Sequence, residues 1–357
     1  MIKILHSADW HLDSPLQGRG QRQSRRLRKE LSRIPERVSQ LCRQENCDIL
    51  VLSGDLFDGA YTKEGYRLVY DALQEVGVPV FISPGNHDPL LPDSPWLTEL
   101  WPENVHIFKR SGIESVALPE LNCRVYGAGF ESMDCPGLLA GFRAEQAEKY
   151  AIGVFHGDPV QAGSPYNPIT TLQIQQSGLQ YLALGHIHKC DQFFQGSTLC
   201  AWPGCPVGRG YDEQGEKGVL LVTVDEIAQA RFIPLDSPRF YDLEVTAGEN
   251  AEQALAAVLP PAGTEDFYRI TLTGPSQSLD IPALQEAFCR FPNLELRDKT
   301  VPPLDIWGTA GEDTFEGLYF KLLRQQLEGK DARTRSRILQ AARISRELLS
   351  GQEVELP

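Results

Sequence analysis

The stretch HSADWHLDS, residues 6–14, sets two histidines and two aspartates directly after a short apolar run. Four later segments repeat the combination: GDLFD with Asp55 and Asp58, GNHD with Asn86, His87 and Asp88, HG with His156, and GHIH with His186 and His188. Six of the seven histidines fall in these five places, and only His106, inside NVHIF, stands apart. Singly, each has an ordinary use, because an aspartate after a strand caps a helix or forms a turn. GHIH is more telling, since alternate residues of an extended chain point the same way and would bring both imidazoles to one side. Glycines and other small neighbours would let the backbone approach a common centre. So many ionisable groups in one cleft call for cations, because like charges cannot all ionise there uncompensated. Imidazole, carboxylate and amide oxygen without thiolate suit manganese, iron or zinc better than calcium. Asp9, His11, Asp55, Asn86, His156, His186 and His188 are too many for one small ion. Two ions roughly 3.5–4 Å apart, bridged by one carboxylate, would use them all, activating a water and clamping both oxygens of an in-line phosphoryl displacement.

The elements that must position these groups are legible as alternating strands and helices over the first 236 residues. IKILHSA reads as a strand, the arginine-rich segment through Cys42 as a helix with Leu27, Leu31, Ile34, Val38 and Leu41 on one face, and DILVLSGD as a buried strand. A helix over 65–76, stopped by Gly77, leads to the strand VPVFISPGNHD. Further strands are predicted at CRVYGAGF, AIGVFHG, YLALGHIH, GVLLVTV and ARFIPL. The alternation implies an α/β fold with helices on both faces of its sheet material. The candidate ligands then gather at the carboxyl ends of the strands, the edge at which open α/β sheets bind ligands. Residues 237–301 change character and read as a small α+β domain, followed by a Pro- and Gly-rich linker, VPPLDIWGTAGED. The region 313–357 reads as a helical tail: Asp313 and Glu316 are spaced as a capping box, and Phe315, Leu318, Leu322 and Gln326 mark a mostly apolar face.

With 357 residues, 41% hydrophobic and 23% charged, the chain reads as a soluble protein of about two domains, without an apolar run of the roughly 20 residues a membrane span needs. MIKILHSADW has no charged leader followed by an apolar stretch, so a cytoplasmic location is expected. Eight scattered cysteines fit reduced thiols, and Cys200 with Cys205, lacking a second pair, makes a poor zinc motif. A net charge of −14 argues against binding nucleic acid by overall charge. A local basic groove is still open to the chain at residues 19–38, where Arg19, Arg22, Arg25, Arg26, Arg28, Lys29, Arg33 and Arg37 crowd together; a solvated helix face is the plainer reading.

DWH, GDLFD, GNHD, HG and GHIH, in that order, resemble the calcineurin-like metallophosphoesterase superfamily. Within it, HSADWHLDSP, GDLFD and LALGHIH resemble the bacterial SbcD- and YhaO-type DNA repair exonucleases, and WPGCPVGRGYDEQGEKGVLLV looks like the segment that closes their nuclease domain. The resemblance covers residues 1 to about 235 and implies a four-layer α/β/β/α sandwich holding two divalent metal ions, Mn2+ foremost. Asp9, His11 and His188 would hold one ion, Asn86, His156 and His186 the other, and Asp55 would bridge them. His87 would protonate the leaving oxygen or stabilise its charge, with Asp88 orienting it. Where several family nucleases carry a histidine after GDLF, this chain has Asp58, so the second catalytic role would fall to a carboxylate. The resemblance further implies DNA as substrate, a DNA-facing capping domain, terminal helices that grip an SMC-like coiled-coil ATPase, and a homodimer. A small-nucleotide phosphodiesterase or phosphatase on the same site is the alternative, and an inactive scaffold is disfavoured by the intact ligand set.

Overall fold

The computed structural model describes residues 1–16, 20–145, 147–159, 161 and 163–351. Arg19 and the last six residues of the helical tail lie outside the described residues. The chain forms two compact units, Met1–Tyr241 and Asp242–Pro357.

In the first unit β1 (Ile2–Ser7) is followed by two helices where one is predicted, α1 (Gln21–Leu31) and α2 (Ile34–Gln44). Pro35 lacks an N–H and is tolerated only in a helix's first turn, so a new helix begins there. Leu27, Leu31, Ile34 and Val38 are buried as expected, but beyond them the inward position is Cys42 rather than Leu41. Of the basic residues in this segment, Arg22, Arg25, Arg28 and Lys29 are exposed, as on a solvated helix face, while three others turn inward. Arg26, Arg33 and Arg37 converge on the buried Glu30 at 3.4, 3.2 and 3.0 Å.

The chain continues through β2 (Ile49–Leu52), α3 (Lys63–Glu75), β3 (Val80–Ile82), α4 (Pro95–Thr98) and β4 (Val105–Ile107). Thr62 caps α3 by accepting from the Gly65 N–H at 2.9 Å, and Asp13 fastens that start to the loop after β1 by accepting from the Thr62 N–H at 2.7 Å. Next come β5 (Glu114–Leu118), β6 (Cys123–Gly127), β7 (Tyr150–His156), α5 (Thr171–Ser177), β8 (Tyr181–Gly185), β9 (Asp191–Gln195) and β10 (Thr198–Trp202), before β11 (Gly218–Val224) and β12 (Gln229–Pro234) return. They build two six-stranded sheets, ordered β12-β11-β1-β2-β3-β4 and β5-β6-β7-β8-β10-β9. In each, four strands run parallel, β1 to β4 and β6, β7, β8 and β10, with antiparallel strands outside them.

The sheets pack face to face through Ile4, Ile49, Val51, Val125, Ile152 and Val154, while Leu182, Leu184 and Trp202 on the far face of the second sheet pack with Ile174 of α5. This is the mixed α/β sandwich expected. Each fully buried aliphatic side chain contributes about 1.5–3 kcal/mol, which fixes the register and with it the position of every strand end. His6 does not reach the site: its ring lies in the core, bonded to Tyr181 Oη and Ser53 Oγ at 2.7 Å each. His106 lies in β4 against Phe81 and Phe108, apart from the others.

In the second unit β13 (Phe240–Thr246), α6 (Ala251–Val258), β14 (Phe267–Thr273), α7 (Ile281–Ala287) and β15 (Leu294–Asp298) appear where they are predicted, and the sheet order is β13-β14-β15. Leu255, Phe267, Ile270, Leu272 and Phe288 are buried. The helices α8 (Phe315–Gln325) and α9 (Ala332–Leu349) follow. The cap of α8 is Thr314, which accepts from the Gly317 N–H at 3.0 Å, not Asp313; Glu316 instead pairs with Arg346 of α9. Phe320 is buried, whereas the predicted apolar face of α8 is open, with Phe315, Leu318 and Leu322 exposed by 89, 55 and 52%. Among the described residues no helix is long and apolar enough to cross a membrane.

Candidate metal centre

The pairing of β1 with β2 outlasts the strands. Asp9 N–H donates to the Gly54 carbonyl at 3.0 Å, His11 N–H to that of Asp55 at 2.9 Å, and Leu12 N–H to that of Leu56 at 2.9 Å. These loops bring the first two motifs side by side in unusual backbone: Asp9, His11, Asp55 and His186 have φ of 53°, 47°, 52° and 91°. Non-glycine residues in this region cost of order 1–3 kcal/mol each and persist where the surroundings over-determine them. A Cβ on Gly85 would collide with the Asp55 carboxylate, and one on Gly185 with the Ser53 carbonyl, so both must be glycine for the strand ends to meet.

Two groups of candidate ligands result. Asp9, His11 and His188 bring one ligand atom each within 4.8 Å of one another, and so do Asp9, Asp55 and His156. Asn86 Oδ1 lies 2.8 Å from His156 Nε2 and 3.3 Å from His186 Nδ1, which adds the remaining two residues to the second group. Asp55 Oδ2 stands between the groups, 3.3 Å from His156 Nε2 and 3.9 Å from His11 Nε2. All seven predicted ligands are therefore together, although GHIH does not work as predicted. The left-handed backbone at His186 breaks the extended run, so the two imidazoles diverge: His186 packs near His156, His188 near His11, with ring centroids 5.4 and 5.0 Å apart.

The donors fit cations. Asp9 Oδ2 and His11 Nδ1 are buried and have no hydrogen-bond partner among the described residues, and His11 Nε2 faces His188 Nε2 at 3.2 Å, lone pair towards lone pair unless a proton or an ion intervenes. His156 Nδ1 donates to the Ser53 carbonyl at 2.9 Å, which turns Nε2 to the cluster. Burial disfavours a charged His156, yet the Asp55 and Asp9 carboxylates raise it to about 9; left to itself, the cluster collects a proton to balance its charge.

The catalytic candidates sit at the rim. His87 Nδ1 meets Asp58 Oδ1 at 2.7 Å, and the His87 ring is 44% exposed while Asp58 is 15% exposed. Asp58 raises the His87 imidazole; burial opposes charge on Asp58 itself, but the His11 ring, its Nδ1 3.6 Å away, and the hydrogen bond with His87 hold its carboxyl well below the usual range. Among the described residues Asp88 makes no hydrogen bond to the His87 ring. Its carboxylate accepts four backbone N–H groups, from Asp55 at 3.2, Leu56 at 2.7, Phe57 at 3.2 and Gly85 at 2.8 Å, and so clamps the loop that carries Asp55 and Asp58.

A family model described as calcineurin-like phosphoesterase matches residues 2–190. The chain belongs to the calcineurin-like phosphoesterases. A Bacillus subtilis (strain 168) relative, "uncharacterized metallophosphoesterase YhaO", is 30% identical over 236 residues, which are 62% of this chain and 57% of that protein; the chain thus spans little more than half the length of this curated relative. Among solved structures, a dimetal phosphatase from Danio rerio is 12% identical over 65% of this chain and 96% of its own, with a TM-score of 0.45. An archaeal phosphodiesterase is 14% identical over 66% of this chain and 100% of its own, with a TM-score of 0.36. The fold of this family implies divalent metal ions in a dinuclear site, and the two ligand groups above are where this calcineurin-like chain has the donors for them. Two residues that sequence reasoning passed over stand beside it, Arg209 and Glu213, from the segment between β10 and β11; the signal was their place in a glycine-rich strand exit, GRGYDE.

Proposed function

We propose that the chain is a DNA nuclease that hydrolyses phosphodiester bonds in DNA repair, acting as an exonuclease and with room for endonuclease action. The observation that carries this reading is the His87–Asp58 pair, which sets a half-exposed imidazole beside the buried ligand cluster. Asp9, His11 and His188 would hold one divalent ion and Asn86, His156 and His186 the other, with Asp55 available to both. When bound, the two ions supply an activated water and charge neutralisation at the phosphoryl oxygens. The chain's own residues do the rest. Asp58 accepts from His87 Nδ1 and raises the imidazole, favouring the imidazolium, whose second proton, on Nε2, would pass to the leaving oxygen and leave a neutral His87. Asp58 is thus a positioning residue rather than a second acid, and Asp88 holds the loop on which it rides.

Three features support DNA and a partner. The motifs resemble the SbcD- and YhaO-type nucleases, a second unit with its own three-stranded sheet follows the first in the chain, and α8 leaves Phe315, Leu318 and Leu322 exposed, as an ATPase-gripping helix would. Against DNA stands the net charge of −14, with Arg26, Arg33 and Arg37 already engaged by Glu30, which favours the alternative of a small-nucleotide phosphodiesterase or phosphatase. The two part in one assay. Full-length protein with Mn2+ is expected to degrade linear DNA, with Asp55→Asn and His87→Ala each lowering the rate by about 10²-fold or more. Turnover of mononucleotide esters with none of DNA would replace the nuclease by the small-substrate enzyme.

A further inference from the structure

His188, Cys205 and Glu213 form a further cluster with ligand atoms within 4.8 Å of one another, as His11, Asp58 and His87 also do, next to the site already described. Its surroundings are wrong for a cation. The Arg209 backbone N–H and Nη2 donate to Glu213 at 2.6 and 3.1 Å, Lys217 Nζ donates to the His188 carbonyl at 3.2 Å, and the Cys205 thiol itself donates to Glu213 at 3.7 Å. Glu213 already has its counter-charge. What it also does is accept from His188 Nδ1 at 2.7 Å.

That bond decides which nitrogen of His188 faces the metal centre. With Nδ1 as donor, Nε2 keeps its lone pair and points towards Asp9 and His11. Arg209 extends the arrangement in the other direction, since its Nη1 reaches Asp58 Oδ2 at 3.5 Å while Nη2 holds Glu213. Asp58 in turn holds His87. A planar guanidinium with a rigid fork of donors can span two carboxylates in this way; a lysine ammonium cannot match both directions at once. The result is a continuous line, His188–Glu213–Arg209–Asp58–His87, that joins a ligand to the proton donor through residues that are not ligands themselves.

We propose that Glu213 and Arg209 are positioning residues: Glu213 fixes the tautomer and aim of His188 for its ion, and Arg209 ties that ligand to the Asp58–His87 pair. The proposal rests on the reading of His188 as a metal ligand. Orienting carboxylates of this kind change metal affinity by about 10–100-fold when removed.

The test uses the full chain, stripped with a chelator, with Mn2+ as the calorimetric probe and bis(p-nitrophenyl) phosphate as the turnover probe. Glu213→Ala is expected to weaken one of the two Mn2+ sites by about 10–100-fold and Glu213→Gln, which keeps the shape and an acceptor, by less. In a His188→Ala background, Glu213→Gln is expected to have no further effect, because the two act as one unit. Arg209→Gln is expected to lower kcat by about tenfold with KM held within about twofold, and Arg209→Lys to recover part of the loss. Should Glu213→Ala fail to fold, the isosteric Glu213→Gln decides. Unchanged Mn2+ affinity in a folded Glu213→Gln, or an effect that persists without His188, overturns the role of Glu213. A raised KM with unchanged kcat in Arg209→Gln overturns that of Arg209, since it would then touch substrate. A wild-type protein that takes up no Mn2+ would instead sink the metal assignment of His188, and this proposal with it.

Discussion

Glu30 and Asp55 belong to the same unit, and each carboxylate is only 2% exposed. Glu30 is met by three guanidinium groups from α1, α2 and the turn between them. Asp55 is met by imidazoles, with His156 and His11 on its Oδ2 side, and the Asp9 carboxylate beside it keeps an oxygen without a partner among the described residues. Guanidinium is always charged and has no lone pair to offer, so the first cluster is closed by the protein's own cations. Imidazole can be neutral and present a lone pair, so the second leaves its charge to be balanced by something that binds. Buried acid by itself therefore marks no site; the kind of partner gathered around it does.

If that contrast holds, adding metal stabilises the second cluster and leaves the first indifferent. A ligand that binds only the folded state at 100 times its Kd adds about 2.7 kcal/mol for one site. Saturating Mn2+ is expected to raise the stability of the wild type by at least this much over a chelated sample, and Asp9→Asn to lose most of the gain. Without metal, Asp9→Asn is expected to be neutral or stabilising, because it removes one of two carboxylates held close together. Denaturant unfolding with and without Mn2+ measures both, and a wild-type curve that Mn2+ does not move would erase the distinction between the clusters.

The closed cluster is expected to answer the opposite way. Glu30→Gln preserves shape but takes from Arg26, Arg33 and Arg37 the carboxylate on which they converge. Removing one partner of a buried ion group costs about 3–5 kcal/mol, and these arginines, 23–43% exposed, recover part of that in water, so a loss of about 2 kcal/mol is expected. The urea midpoint should fall with an unchanged slope, while Mn2+ uptake and turnover per folded molecule stay at wild-type values. A loss of turnover in the folded variant would show that the arginine helix serves the site after all.

The same chemistry explains what could be read in the sequence. Strands such as ILVL at 49–52 and GVLLVTV at 218–224 are continuous apolar runs because both their faces are covered, and the acids and histidines at strand ends are visible because nothing in a core calls for them. Edge strands β5 and β9 expose alternate residues and carry Glu114 or Asp191, so they leave little trace. The divergence of His186 from His188 depends on one left-handed residue, and the partnership of Arg209 with Asp58 on a fold that joins positions 151 residues apart. Neither is written in local spacing. The Glu30 cluster was hidden for a related reason: the run reads as a solvated helix face, which Arg22, Arg25, Arg28 and Lys29 form, and nothing in local spacing shows that a buried acid claims Arg26, Arg33 and Arg37.

His6 gives the smallest expected effect and the cleanest control. It is as buried as His156, 0 and 1% exposed, but its partners are the neutral hydroxyls of Tyr181 and Ser53. Burial accordingly lowers His6 from 6.5 to about 3, against a smaller upward pull from the Leu184 backbone, whereas the carboxylates around His156 raise it to about 9. Above about pH 6.5 neither folded nor unfolded chain protonates His6, and it makes stability no more pH-dependent. Below that, the unfolded chain takes up a proton that the folded core refuses, so stability is lost as pH falls from 6.5 towards 3. At pH 5.5 the loss from this one group is about 1.4 kcal/mol. In chelated samples, which keep metal binding out of the slope, His6→Gln is expected to flatten the decline in unfolding free energy between pH 6.5 and 5 relative to wild type, whatever it costs at neutral pH. If both proteins lose stability in parallel over that window, then neutral partners and burial do not set the behaviour of a core histidine here, and the partner rule drawn from Glu30 and Asp55 loses its third case.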